Sequence, residues 1–150
     1  MAYDLTALIG RADALAPVRH PAVTRPPVGL ENGWALLPID EYILRERLGI
    51  QAFDIDDVAA SLGPAVVAAG AGLPVAFVHI QTFGGTADEA VAVWREGELV
   101  WQARAEDLTD ERLSAEALRL VGVVATGGLD EFDTLGLGRH RETEDWFDEP

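Results

Sequence analysis

Three apolar segments separated by two glycine-containing dipeptides dominate the middle of the chain. Residues 74–83, 86–95 and 98–102 are rich in β-branched, aromatic and small apolar side chains, which favour strands. The intervening dipeptides, Gly84-Gly85 and Glu96-Gly97, have the length of two-residue hairpin loops, in which glycine readily supplies the positive φ that such turns require. The sequence therefore predicts an antiparallel β-meander.

Two-residue turns would fix which residues of this meander, residues 74 to 103, face each other. The predicted pairs are Gln81 with Asp88, His79 with Ala90, Phe77 with Ala92, Arg95 with Glu98, Trp94 with Leu99, Val93 with Val100 and Ala92 with Trp101. In this register His79, Trp94 and Trp101 share one face of the sheet. We expect both tryptophans to be largely buried.

The opposite face of the meander distinguishes two kinds of function. A face wholly covered by helices is expected of an enzyme-like sandwich, whereas a partly exposed apolar face is expected of an interaction module. The residues predicted on it are Ala76, Val78, Ile80, Val91, Val93 and Val100.

The first half of the chain is predicted to be mainly helical. Apolar residues at spacings of three and four predict an amphipathic helix over residues 4–16. A proline-rich extended connection follows near residues 17–33, and residues 34–37 form a short strand. One helix is predicted between Pro38 and Gly49, with an inner stripe of Ile39, Tyr42, Ile43 and Leu48 and a Glu41–Arg45 ion pair. A second opens at Asp54 and Asp57 and ends at Gly63 and Pro64.

The second half supplies two more predicted helices. Thr109 or Asp110 begins a helix with an apolar stripe that ends at Gly122, and a short helix follows Gly127-Gly128. An acidic tail spans residues 136–150, in which Trp146 and Phe147 can dock into an apolar groove. The predicted fold is a single α+β domain over residues 1–150, with a central antiparallel β-meander of three to four strands and flanking helices.

Charge narrows the possible partners. The 26 acidic and 11 basic residues give a net charge of -15, which disfavours binding to nucleic acid or to anionic lipid. Residues 1–75 hold nine acids and five Arg, a net of -4, and residues 76–150 hold seventeen and six, a net of -11. The negative charge is therefore concentrated in the second half.

Neither a membrane span nor an export signal is expected. Residues 58–87 carry no Asp, Glu, Lys or Arg, but Pro64, Pro74 and several glycines would interrupt a spanning helix. The first residues lack the positive segment of a secretory signal. We therefore expect a cytoplasmic protein.

One group of polar residues has a composition that could support catalysis. His79, Gln81 and Asp88 would lie together at one end of the sheet, and a histidine near a carboxylate is the minimum needed for general acid–base chemistry. No nucleophile or oxyanion-stabilising pair is evident from the spacing, so a small enzyme or ligand-binding domain is the alternative interpretation. The glycines in residues 82–86 are predicted to form a hairpin turn rather than a phosphate loop, because an acidic strand follows them.

The sequence predicts no metal site and no cofactor. There is no Cys, and no second His lies near His79 at ligand spacing. His140 with the following acids fits no template, and residues 130–133 lack the glycine of a calcium loop.

These observations favour a binding role over catalysis. Acidic surfaces steer association with basic proteins, as in immunity or inhibitor proteins that neutralise a basic toxin or nuclease. High acidity can also have no role beyond keeping the protein soluble. The partner-binding residues predicted from the charge distribution are Glu106, Asp107, Asp110, Glu111, Asp130, Glu131, Asp133, Glu142, Glu144 and Asp145.

Overall fold

A six-stranded antiparallel sheet forms the centre of the computed structural model, which describes residues 3–70, 72–109 and 112–147. The strand order is β2-β3-β1-β4-β5-β6. The strands are β1 Tyr3–Arg11, β2 Val28–Gly29, β3 Trp34–Pro38, β4 Val75–Phe83, β5 Thr86–Arg95 and β6 Glu98–Leu108. The α+β fold and the meander are confirmed, but the sheet has six strands rather than three to four.

Among the described residues, three helices precede β4 and three follow β6. They are α1 Ala12–Leu15, α2 Glu41–Leu48, α3 Ile55–Gly70, α4 Leu113–Leu120, α5 Glu131–Thr134 and α6 Thr143–Phe147. Two short 3-10 turns occur at Glu31–Gly33 and Leu137–Arg139. No helix among the described residues is both long enough and apolar enough to cross a membrane.

The predicted helix over residues 4–16 is wrong, because most of this segment is strand β1. Leu5 and Ile9 pack on one face of the sheet, while Leu8 packs on the other. A central strand is buried on both faces, so its apolar run is nearly continuous and also satisfies a helical spacing. Only the last residues of the segment form a helix, the single turn α1.

Helix α2 lies where it was expected, but the side that it buries against the core differs from the predicted one. Asp40 caps its start by accepting a hydrogen bond from the Ile43 N–H at 3.2 Å, and Gly49 ends it in the left-handed conformation with φ 68°. Leu44 is buried, whereas Tyr42 is 62% exposed. The predicted inner stripe is therefore only partly correct.

Helix α3 does not end at Gly63 and Pro64 as predicted but continues to Gly70. An internal proline costs roughly 3 kcal/mol, since it removes one helical hydrogen bond. Here the proline side chain faces outward, and the extra turns bury Val66. Gly63 is needed for close packing, because a Cβ there would lie 3.3 Å from Trp94 Nε1.

Both faces of the sheet are covered. The first face packs against α1, α2 and α3, and the second against α4 and the segment that contains α5 and α6. Trp146 of α6 is 1% exposed in the second layer. On the face that was to distinguish the two kinds of function, five of the six predicted residues are buried and Val100 is 50% exposed.

The predicted register holds for β4 with β5 and fails near the start of β6, after Leu99. Arg95 faces Glu98 and Trp94 faces Leu99 as expected, but an irregularity after Val93 pairs it with Trp101. The shift moves Trp101 to the face opposite Trp94, and it is only partly buried. The prediction that both tryptophans share one face is therefore wrong for Trp101.

Candidate functional site

A row of polar residues crosses the sheet where β4 turns into β5. Asp4 of β1 lies opposite Gln81 of β4, and Gln81 lies opposite Asp88 of β5. The Asp107 N–H of β6 donates to Asp88 Oδ1 at 3.0 Å, which brings Asp107 into the row. Strand pairing and this hydrogen bond together align three carboxylates and an amide.

This row lines an open cavity of about 570 Å³, which we call the acidic cleft. Its remaining lining residues are Tyr3, Thr82, Phe83 and Thr86. Phe83 is 85% exposed. No Arg, Lys or His is among the described residues that line the cleft. It is a negatively charged pocket with an aromatic ring beside it.

His79 does not line the acidic cleft, although Gln81 and Asp88 do. It is 3% exposed and lies one row farther along the sheet, opposite Thr6 of β1. Its Nδ1 is 2.8 Å from Thr6 Oγ1 and 3.6 Å from Glu41 Oε1. The Thr6 hydroxyl in turn donates to the Glu41 carboxylate. The sequence-predicted trio is therefore divided between the cleft and a buried group behind it.

Asp4, Glu41 and His79 form this second group, which we call the Asp4–Glu41–His79 cluster. One potential ligand atom from each lies within 4.8 Å of the others. Asp4 comes from β1, Glu41 from the first turn of α2 and His79 from β4. Asp4 Oδ1 is buried and makes no hydrogen bond with the described residues.

The two carboxylates of the cluster experience different electrostatic environments. Burial, followed by the negative charges of Glu41 and Glu144, raises the pKa of Asp4 to about 6, although His79 and Gln81 act in the opposite direction. Burial also opposes ionisation of Glu41, but its contacts with His79 and Thr6 outweigh this and lower its pKa. Negative charge thus accumulates around Asp4.

The acids predicted to bind a partner are dispersed. Asp107 lines the acidic cleft, and Glu144 acts on Asp4 as just described. Glu142 forms a backbone bridge to Asp4. Exposed positions elsewhere are occupied by Glu106 on β6 and Asp145 on α6. Only part of the predicted set therefore lies near the cleft.

The remaining predicted acids belong to two segments of the chain, one just before α4 and the other at α5. Asp130 caps α5, accepting from the Asp133 N–H at 2.7 Å. Glu131 is 6% exposed and lies 2.7 Å from Arg119, so its charge is already paired. Asp110 and Glu111 lie outside the described residues, as does the predicted helix start at Asp110; α4 begins at Leu113.

A second cavity of about 270 Å³ contains a buried carboxyl group that the sequence analysis did not single out. Glu89 is 0% exposed and accepts a hydrogen bond from the Ser114 N–H at 2.8 Å. Burial raises its pKa, although its contacts with Ser114 and Arg112 act in the opposite direction. The strand alternation could have revealed it, because Glu89 shares a face with Val91 and Val93.

Asp4 and Glu41 were missed for a different reason. Asp4 stood in the segment predicted as a helix, and Glu41 was expected to pair with Arg45, which instead lies 3.5 Å from Glu46. No local spacing connects either residue with His79. Only the pairing of β1 with β4 and the placement of α2 bring them together.

No protein-family model, no curated protein sequence and no solved structure matches this chain. The function proposed below is therefore inferred from the acidic cleft and its surroundings.

Proposed function

We propose that the protein is an acidic binding domain whose cleft receives a basic segment of a protein partner. The observation that carries this proposal is the composition of the acidic cleft. Asp4, Asp88 and Asp107 line it, while none of its described lining residues is basic. A cation from outside would reduce the repulsion between these carboxylates, so a basic side chain is the complementary ligand.

The shape and lining of the cleft favour an arginine side chain in particular. Carboxylates bind the guanidinium fork through paired hydrogen bonds, and an aromatic ring attracts its planar cationic face. Phe83 supplies an exposed ring beside Asp88 and Asp107. A volume of about 570 Å³ is ample for a single arginine side chain.

The start of α6, together with Glu142 just before it, adds two carboxylates beside the cleft. It is held against β1 by the Asp4 N–H, which donates to the Arg141 carbonyl at 2.6 Å, and by the Thr6 N–H, which donates to Thr143 Oγ1 at 2.9 Å. These bonds fix Glu142 and Glu144 next to Asp4. Their charge would accelerate encounter with a basic partner.

The proposal specifically includes inhibition of a basic enzyme or toxin, as immunity proteins achieve. We do not propose either face of the sheet as the binding surface, because helices largely cover both faces. The proposal retains the cytoplasmic location expected from the sequence, which fractionation of the native cell would test.

A small enzyme or ligand-binding domain remains the second candidate. Two observations favour it: the covered second face, which was the criterion set for an enzyme-like sandwich, and the contact of His79 with Thr6 and Glu41. Such a chain of polar groups could transfer a proton to a ligand in the neighbouring cavity that Glu41 lines. Turnover of a small molecule without a protein partner, lost in His79→Gln, would support this candidate.

A short peptide that alternates arginine and glycine provides the first test of the acidic cleft. We expect the backbone amide resonances of residues 81–88 and of Asp107 to shift on addition of the peptide. A counterpart with neutral citrulline in place of arginine should produce no comparable shift. Binding should weaken between 0.01 M and 0.15 M salt, because the screening length falls from about 30 Å to about 8 Å.

Two double variants separate the cleft from the overall charge. Asp88→Asn with Asp107→Asn should weaken peptide binding at least about tenfold, because it removes charge-assisted hydrogen bonds. Asp13→Asn with Glu46→Gln removes the same charge from exposed positions that do not line the cleft and should have a much smaller effect. Equal losses in both variants would contradict the proposal, as would resonance shifts confined to other surfaces.

Capture of the native partner provides the second test. The wild-type chain should retain a protein with a basic contact surface, and the cleft double variant should not. A partner with an acidic or neutral contact surface would contradict the proposal.

A further inference from the structure

The Asp4–Glu41–His79 cluster has the donor set and the convergence of a metal centre. We propose that these three residues bind one divalent transition-metal ion; Asp4 is shared with the acidic cleft, where Asp88 and Asp107 would remain to bind a basic partner. Their potential ligand atoms already lie within 4.8 Å of one another. Two are on neighbouring strands and the third is in the first turn of α2, so the backbone positions of all three are fixed by regular structure.

The chemistry of the donors indicates which class of ion would bind. One imidazole nitrogen and two carboxylate oxygens suit borderline ions such as Zn²⁺ or Co²⁺ better than Mg²⁺ or Ca²⁺, which prefer oxygen ligands alone. Three protein ligands also leave coordination positions for water or a ligand, as in catalytic rather than structural zinc sites.

Two observations beyond the proximity of acidic groups support the proposal. First, His79 is 3% exposed, and its Nδ1 faces Thr6 and Glu41 rather than bulk solvent. Second, Asp4 Oδ1 is buried and makes no hydrogen bond with the described residues, although buried carboxylate oxygens are normally satisfied. A metal ion would satisfy this oxygen and neutralise both carboxylates.

Thr6 would then support the ligands without binding the ion itself. Its hydroxyl donates to Glu41, a contact that orients the carboxylate as hydrogen bonds around metal ligands commonly do. Coordination through His79 Nδ1 would replace the present Nδ1–Thr6 hydrogen bond, in which the Thr6 oxygen accepts, and would place the ring proton on Nε2. The sequence prediction that His79 is not a ligand considered only nearby His and Cys, whereas the fold supplies carboxylates from distant positions.

Calorimetric titration of the metal-stripped chain tests the stoichiometry and the ion class. We expect one Zn²⁺ or Co²⁺ per chain, with much weaker binding of Mg²⁺ and Ca²⁺. Asp4→Asn, Glu41→Gln and His79→Gln should each weaken Zn²⁺ binding at least about tenfold. Asp88→Asn, a change in the acidic cleft outside the cluster, should leave the affinity within about twofold.

Nitrogen NMR of the histidine rings tests the site in the wild-type chain and does not depend on the folding of a variant. Zn²⁺ should shift the Nδ1 resonance of His79 and leave those of His20 and His140 nearly unchanged. Shifts at those two histidines instead, undiminished affinity in folded His79→Gln, or no binding up to millimolar Zn²⁺ would each overturn the proposal. None of these measurements involves the basic peptide, so the two proposals can fail independently.

Discussion

Glu89 should stabilise the fold mainly as a hydrogen-bond acceptor for the start of α4. The residue at the N-cap position of this helix is Arg112, whose side chain has no acceptor atom, and Glu89 from β5 receives the Ser114 N–H instead. Glu89→Ala would leave this buried donor without an acceptor. Loss of a cap costs about 1 kcal/mol, and an unsatisfied buried N–H costs about 1–3 kcal/mol. Since these costs overlap and are not summed, we expect a total loss of about 1–3 kcal/mol.

Glu89→Gln separates the acceptor from the charge. Glutamine has nearly the same shape and retains a side-chain oxygen for the Ser114 N–H. It loses the ion pair with Arg112, whose Nε lies 3.6 Å from Glu89 Oε2 and whose side chain is 35% exposed. A partly solvated pair of this kind contributes at most about 1 kcal/mol, and removal of a buried charge offsets some of it. The variant should therefore remain within about 1 kcal/mol of the wild type at neutral pH.

The pH dependence of stability provides an independent measure of the same group. Burial raises the folded-state pKa of Glu89 above its ordinary value of 4.5. Between the unfolded and folded pKa values the folded chain binds more protons, so the contribution of Glu89 to stability falls as the pH rises. This contribution is greatest below 4.5 and becomes constant above the folded pKa. The wild type should therefore lose stability relative to Glu89→Gln as the pH rises through this window.

Urea denaturation monitored by tryptophan fluorescence, at several values between about pH 4 and pH 8, would measure these effects. Comparison with Glu89→Gln at each pH cancels the contributions of the other titrating groups. The capping role would be refuted if Glu89→Gln were as destabilising as Glu89→Ala at neutral pH. The assignment of a raised pKa would be refuted if the wild type gained stability over Glu89→Gln as the pH rose.

Two further predictions concern packing and can be measured by the same denaturation assay. Trp94→Ala should reduce the free energy of unfolding by about 3–5 kcal/mol because the ring is buried. Trp101→Ala should reduce it by only about 1–2 kcal/mol because that ring is partly buried. Equal losses would contradict the observed register. Gly10→Ala should destabilise by about 1–3 kcal/mol, because the new Cβ would lie 3.1 Å from the Pro74 carbonyl oxygen. Gly29→Ala is the control, with no atom within 4 Å of its Cβ, and should change stability by less than about 0.5 kcal/mol.

The parts of the fold that could be predicted are those with local causes. The two hairpin turns of the meander require positive φ at Gly84 and Gly97, with φ 64° and 81°, and both positions were predicted from the dipeptides. The end of α2 at Gly49 is equally local and was predicted, whereas its start at Asp40 rather than Pro38 was not. The bulge that displaces Trp101 has no comparable local signal, because Glu96-Gly97 closes the same turn in either register.

The end of α3 illustrates a limit of local rules. Gly63 and Pro64 are strong helix terminators in isolation, and they led to a predicted helix that was too short. The fold tolerates both because Gly63 meets the Trp94 ring and Pro64 faces outward. Tertiary packing therefore overrides the local preference at this position, and no pattern within the helix indicates which will prevail.

The misassigned strand and the missed cluster have one physical origin. An apolar run buried on both sides does not show the alternation by which a strand is normally predicted, so β1 was mistaken for a helix and its partners remained unknown. Once β1 is placed in the interior of the sheet, two of its polar residues, Asp4 and Thr6, become conspicuous. Thr6 is 0% exposed, and Asp4 has a buried oxygen, whereas a purely structural strand here would be apolar. Polar groups that persist on a central strand require partners, and β4 and α2 provide them in His79 and Glu41.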